Sequence, residues 1–152
     1  MGRGEALAYR WFIRVIPVLV LGILFSASPA RGQDSYRVIV NVANPIEALT
    51  KSEAARLFLT RTTWDSGEAV SPVDLAATSP VRDDFSRDVL GITAAAAVQH
   101  WKKASGEPPA SMATDREVLA FVRLKRGAIG YVSSTANVQG VKVVAIVKAP
   151  SR

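Results

Sequence analysis

Residues 114–132 read T-D-R-E-V-L-A-F-V-R-L-K-R-G-A-I-G-Y-V. Thr114 and Glu117 stand at capping-box spacing, where each side chain satisfies a backbone amide at a helix start. Val118, Leu119 and Val122 recur at helical spacing and give one apolar face. Lys125 and Arg126 fall where cations suit the helix dipole, and Gly127 is placed to take the left-handed position just past the helix. The apolar run Ala128-Ile129-Gly130-Tyr131-Val132 follows with no room for a long loop. A capped helix should therefore drop directly into a buried strand. Gly130 weakens that strand for want of a side chain, which implies that something packs closely on the backbone there.

Similar units lie on either side. Upstream, Y-R-V-I-V-N-V at 36–42 becomes continuously apolar, as a buried strand does, before Asn44-Pro45 breaks it. Thr50 and Glu53 repeat the capping-box spacing and open a helix that turns Ala54, Leu57 and Phe58 inward. Residues 60–67 form a loop that holds Trp64 and ends in the turn signal Asp65-Ser66-Gly67. Residues 69–75 make a short strand. Ser79-Pro80 then reads as a cap followed by proline at the first helical position, and Val81, Phe85 and Val89 mark one helix as far as Gly91. Another helix runs from Thr93 through Ala97 and Trp101 towards Gly106, and Glu107-Pro108-Pro109 connects it to the Thr114 helix. Downstream, residues 137–140 form a turn and Val141–Val147 the last strand. Helices interleaved with strands predict an α/β fold, a mixed sheet flanked by helices.

The first 32 residues have a different character. Arg3, Arg10 and Arg14 form a positive flank, Val15 to Phe25 an uncharged apolar core, and Ser28-Pro29-Ala30 or Ala30-Arg31-Gly32 a small-x-small cleavage site. That is the layout of a secretory signal peptide. The alternative is a retained anchor, but the apolar run is well short of the roughly 20 residues that span a bilayer. The expected domains are thus a signal peptide at 1–32 and one domain at 33–152, located in the periplasm or secreted, with membrane contact only during export.

Cleavage also changes the charge balance. The whole chain carries 19 basic and 13 acidic side chains, net +6. Without the leader the balance is 15 against 12, only +3, and the basic residues are scattered. Nucleic acid is therefore not an expected partner. Cysteine is absent and His100 is the one histidine, so neither thiolate nor multi-histidine metal sites can form. No nucleophile elbow or phosphate loop is present, and no cofactor is expected. His100 reads as a surface or packing residue. Trp64 and Trp101 read as packing aromatics, and Asp83, Asp84 and Asp88 as a solvated helix face. Ser133-Ser134-Thr135 either meets a ligand or closes a turn. Nothing here specifies an enzyme.

The ordered set L-T-K-S-E-A-A-R-L-F-L at 49–59, Trp64, S-P-V-D at 71–74, T-S-P-V-R-D-D-F at 78–85, V-L-G at 89–91, Trp101 and G-A-I-G-Y-V at 127–132 resembles the phosphate-transport type of periplasmic solute-binding protein. The likeness spans roughly residues 36–147. It implies one lobe of a type II periplasmic binding protein, whose full-length members bind oxyanions between two lobes. It also places ligand binding in the turn at Thr78, Ser79 and Arg82.

In phosphate-binding members an arginine follows the P-V strand, and a Ser-Gly-Thr run opens the next helix. Ser79 keeps the serine place, whereas Leu75 stands at the arginine, Pro80 at the glycine and Val81 at the threonine. Arg82 is the one residue that could swing back as a substitute. Pro80 also removes an amide, and Asp83 and Asp84 add negative charge. From the residues themselves Ser79 reads first as an ordinary cap, and the family resemblance alone keeps the anion reading. The expected function is that of an exported, non-catalytic binding domain with a degraded phosphate site, whose partner is a small oxyanion. A second copy of the chain could complete its cleft, and the alternative is a ligand-free interaction or sensor module that meets an envelope protein.

Overall fold

A computed structural model describes residues 35–150. The leader over 1–32 and its cleavage sites lie outside the described residues. Within them, six strands form one mixed sheet in the order β2-β6-β1-β5-β3-β4. The strands are β1 (Tyr36–Asn41), β2 (Ala48–Thr50), β3 (Ser71–Leu75), β4 (Ala110–Met112), β5 (Ala128–Ser133) and β6 (Val141–Val147). β1 runs antiparallel to both neighbours, pairing Ile39 with Gly130 of β5 and with Val143 of β6. The other pairings, β2 with β6 and β3 with β4 and β5, are parallel. No helix among the described residues is long and apolar enough to cross a membrane.

The sheet is covered on both faces. On one side lies α4 (Asp115–Leu124), opened by the Thr114–Glu117 capping box and burying Val118, Leu119 and Val122. Asn41 fixes its far end, because the amide Nδ2 donates to the carbonyls of Val122 at 2.9 Å and Arg123 at 3.0 Å. Those are helix-end carbonyls that have no partner within the helix. On the other side α1 (Lys51–Leu59) carries the second capping box and buries Ala54, Leu57 and Phe58. α2 (Pro80–Phe85) packs beside it and continues into a π-helical segment (Ser86–Leu90) that Gly91 ends in a left-handed conformation. α3 (Ala94–Lys103), capped by the Thr93 hydroxyl, packs on α1 and on the π segment. Four aromatic rings join this layer: Phe85 stacks on Tyr131 at 3.9 Å between centroids and meets Phe58 and Tyr36 edge-on.

The structure departs from the sequence reading at three places. The helix expected over 79–91 is two segments of different winding. Two three-residue strands, β2 and β4, stand where only connections were expected. Gly127 is not in the left-handed region, since α4 ends at Leu124 and Lys125 leaves it extended. The reason for a glycine there is close approach, because a Cβ at Gly127 would lie 2.1 Å from the Ala69 carbonyl oxygen. Gly130 is a second close approach, where a Cβ would lie 2.6 Å from Val73 Cγ1 and 3.0 Å from Val118 Cγ1.

Candidate functional site

Parallel strands leave a crevice beyond their carboxyl ends, where ligands of open α/β sheets collect. β3 ends there at Leu75, and its chain turns through Ala76–Ser79, where the Ser79 amide donates to the Ala76 carbonyl at 2.9 Å. Thr78 is exposed and Ser79 half-buried. The Ser79 hydroxyl makes no capping bond, so the cap reading of that serine rests on backbone position alone. Pro80 sits at the first turn of α2 and offers no amide.

Arg82 does swing back, but inward. It is only 8% exposed. Its Nη1 donates to the Leu75 carbonyl at 2.9 Å, and its Nη2 lies 3.4 Å from Asp74 Oδ2. The other Asp74 oxygen accepts from the Tyr131 hydroxyl at 2.6 Å, and that hydroxyl accepts from the Leu75 amide at 3.3 Å. Burial raises the Asp74 pKa above the usual carboxylate range, only partly opposed by the Tyr131 hydrogen bond and the Arg82 charge. Burial, then the Asp74 charge and hydrogen bond, push the Tyr131 phenol far up, so it stays a donor.

The expected trio is therefore split. Thr78 and Ser79 share the outward turn, while the Arg82 guanidinium belongs to a buried network with Asp74 and Tyr131. Those two residues were missed as members of a site. The signal was an acid flanked by apolar residues in Pro72-Val73-Asp74-Leu75, since a buried acid needs a partner.

The other sequence candidates have structural duties. Ser133 donates its hydroxyl to one Asp115 oxygen and its amide N–H to the other at 3.1 Å, tying the end of β5 to the start of α4. The Ser134 amide donates to the Ser35 carbonyl at 3.1 Å, so this run closes a turn. His100 Nε2 lies 2.7 Å from the Leu59 carbonyl, linking α3 to the end of α1. Trp64 donates its indole N–H to Gly127 at 3.0 Å. Asp84 is exposed, but Asp88 is not simply solvated, because it accepts from both Tyr36 and Lys51. Burial works against its ionised form, yet those two hydrogen bonds and the Lys51 charge hold its pKa below the usual range.

Beside the network lies a hollow of about 280 Å³. Asp74 and Arg82 line it together with Trp101, Lys102, Pro108 and Ser111. A larger hollow of about 730 Å³ lies between Thr50–Ser52 and the end of β6, away from this network.

No protein-family model matches the chain, and no curated protein matches it either. Solved structures do. An ABC-type phosphate transport receptor from Vibrio cholerae is 20% identical, with a TM-score of 0.61 over 77% of this chain and 48% of that one. A Clostridium perfringens protein assigned to phosphate ABC transport as a substrate-binding protein, solved with phosphate bound, is 20% identical, with a TM-score of 0.60 over 73% of this chain and 44% of its own. PstS from Borrelia burgdorferi is 13% identical, with a TM-score of 0.58 over 78% of this chain and 49% of its own. The fold is that of one lobe of such a protein. The chain spans about half the length of the structures it matches, and at these identities the likeness is one of fold. The α/β reading and the resemblance over most of residues 36–147 hold.

Proposed function

We propose that this chain is an exported, non-catalytic binding domain of the solute-binding type in which the phosphate cup has been dismantled. The orientation of Arg82 carries the reading. A tight oxyanion site needs several charge-assisted donors converging on one ion, and arginine is the strongest of them. Here the guanidinium is engaged with Asp74 and Leu75, so an anion at the 78–79 turn would compete with a buried carboxylate for it. Ser79 offers one hydroxyl, Pro80 no amide, and Asp83 and Asp84 repel a dianion. The cleft of a two-lobed binding protein has two walls, and the matched part supplies one. An envelope protein or a second copy would supply the other in a complex.

Calorimetry with inorganic phosphate tests this. The expected dissociation constant is no tighter than about 1 mM, near −4 kcal/mol. Micromolar binding that disappears in Ser79→Ala would overturn the reading and restore Thr78, Ser79 and Arg82 as an oxyanion site.

A further inference from the structure

The hollow beside Arg82 lies apart from the 78–79 turn, and its lining has a mixed character. Trp101, Ala97, Pro108 and Pro109 give apolar walls, while the Arg82–Asp74 pair supplies a polar floor. Small-molecule sites are built this way, mostly apolar with a few convergent polar groups. Lys102 adds a second cation, so the lining carries two positive groups against one carboxylate. Toward this hollow, which it lines, Arg82 has N–H groups beyond those held by Leu75 and Asp74. A guanidinium has five N–H groups. The contact to Asp74 is a long 3.4 Å, and the buried Nε–H makes no hydrogen bond.

We propose that this hollow binds a small organic carboxylate with a compact apolar body. The net positive lining selects an anion, and a planar guanidinium suits a planar carboxylate. The Trp101 ring and the two prolines stabilise an apolar body by removing it from water and offer nothing to a fully hydrated inorganic ion. At about 280 Å³ the space equals roughly nine water volumes of about 30 Å³ each, enough for one ring or a short branched chain. Asp74 faces the same space and disfavours a dianion, which sets the ligand charge at minus one. The proposal does not depend on whether the phosphate cup is lost.

Benzoate, its neutral analogue benzamide, 3-methylbutanoate and inorganic phosphate are titrated into the isotope-labelled protein. The amide signals of Lys102, Gly106 and Ser111 and the Trp101 indole signal report occupancy. Saturable shifts are expected with benzoate or 3-methylbutanoate, with benzamide at least about tenfold weaker, near 1.4 kcal/mol. Ser111→Trp, which fills the hollow from an exposed position, should abolish the shifts, and Lys102→Glu should weaken carboxylate binding several-fold. Both sites are exposed, so the melting temperature should stay put and separate lost binding from lost folding. Benzamide binding as tightly as benzoate would overturn the proposal, as would shifts that survive Ser111→Trp or the same saturating shifts with phosphate. Absence of saturation by either carboxylate up to roughly 10 mM, where binding is worth under about 3 kcal/mol, would do so as well.

Discussion

Arg82 and Asp74 hold one another in a place where neither could stand alone. Asp74 is 6% exposed between Val73 and Leu75, and an uncompensated charge there is strongly unfavourable. Removing one partner of a buried pair typically costs about 3–5 kcal/mol. The 3.4 Å separation puts this pair at the low end, so Arg82→Met should destabilise by about 3 kcal/mol in denaturant melts. Adding Asp74→Asn to that variant should return part of the loss, because the orphaned charge goes with it. A double variant no more stable than Arg82→Met would mean that the carboxylate is solvated.

Buried Asp74 and half-buried Asp88 should titrate with opposite signs. Asp74 has a raised pKa, so the folded state holds its proton more tightly than the unfolded chain. Its contribution to stability is fully present below the ordinary carboxyl pKa and is lost as pH rises through the folded value. Asp88 has a lowered pKa, so its contribution is present above the ordinary value and lost as pH falls. Relative to wild type, Asp74→Asn should therefore gain as pH rises from 4 to 7 (about the usual carboxyl range and above). Asp88→Asn should lose over the same interval. Melting temperatures of both variants across that range check the signs. The Asp88 effect should be small, since its partner Lys51 is half exposed and screened by water.

At the scale of elements, the unit from Thr114 to Ser133 was the most legible, because capping box, apolar stripe and strand all follow from local rules. Its two glycines show where local rules stop. Gly127 was read as a helix terminator, but its role depends on Ala69, 58 positions earlier. Gly130→Val should cost ~1–3 kcal/mol by overpacking, because Val73 and Val118 already occupy the space a side chain needs. Gly127→Ala should be at least as damaging for a smaller added volume, since the obstructing atom is backbone. Comparable thermal melts of wild type and both variants would mean that neither approach is close. β2 and β4 were illegible for a related reason. Three residues carry no period, and each strand exists only because a parallel neighbour, β6 or β3, is already there to pair with.

For the molecule as a whole, the lobe fold was legible because order and spacing of several motifs survive together, while the site was read only in part. Position along the chain marked Arg82 as a substitute donor for the 78–79 turn, whereas its guanidinium turns inward to Leu75 and Asp74. Position could not say that the side chain would find Asp74 and Tyr131, because those contacts join β3, α2 and β5 through the assembled sheet. The leader expected at 1–32 rests on composition alone and lies outside the described residues. Mass spectrometry of the protein taken from its native envelope should find a mature start near Arg31 or Gln33. Recovery of the intact Met1 form from the membrane would favour an anchor instead.

The position of β1 in the sheet has a consequence for how the chain comes to be folded. It is the first strand described, yet its partners among the described residues are β5 and β6, the last two. Until residues 128–147 are free to fold, β1 lacks both of these partners, and its apolar run of Val38, Ile39 and Val40 must wait. Contacts so distant in sequence are slow to close and leave strand edges open meanwhile. The sheet cannot be completed in the order in which it is synthesised. Its centre is laid last, when Val141–Val147 arrives and fixes the far side of a strand that emerged about a hundred residues before.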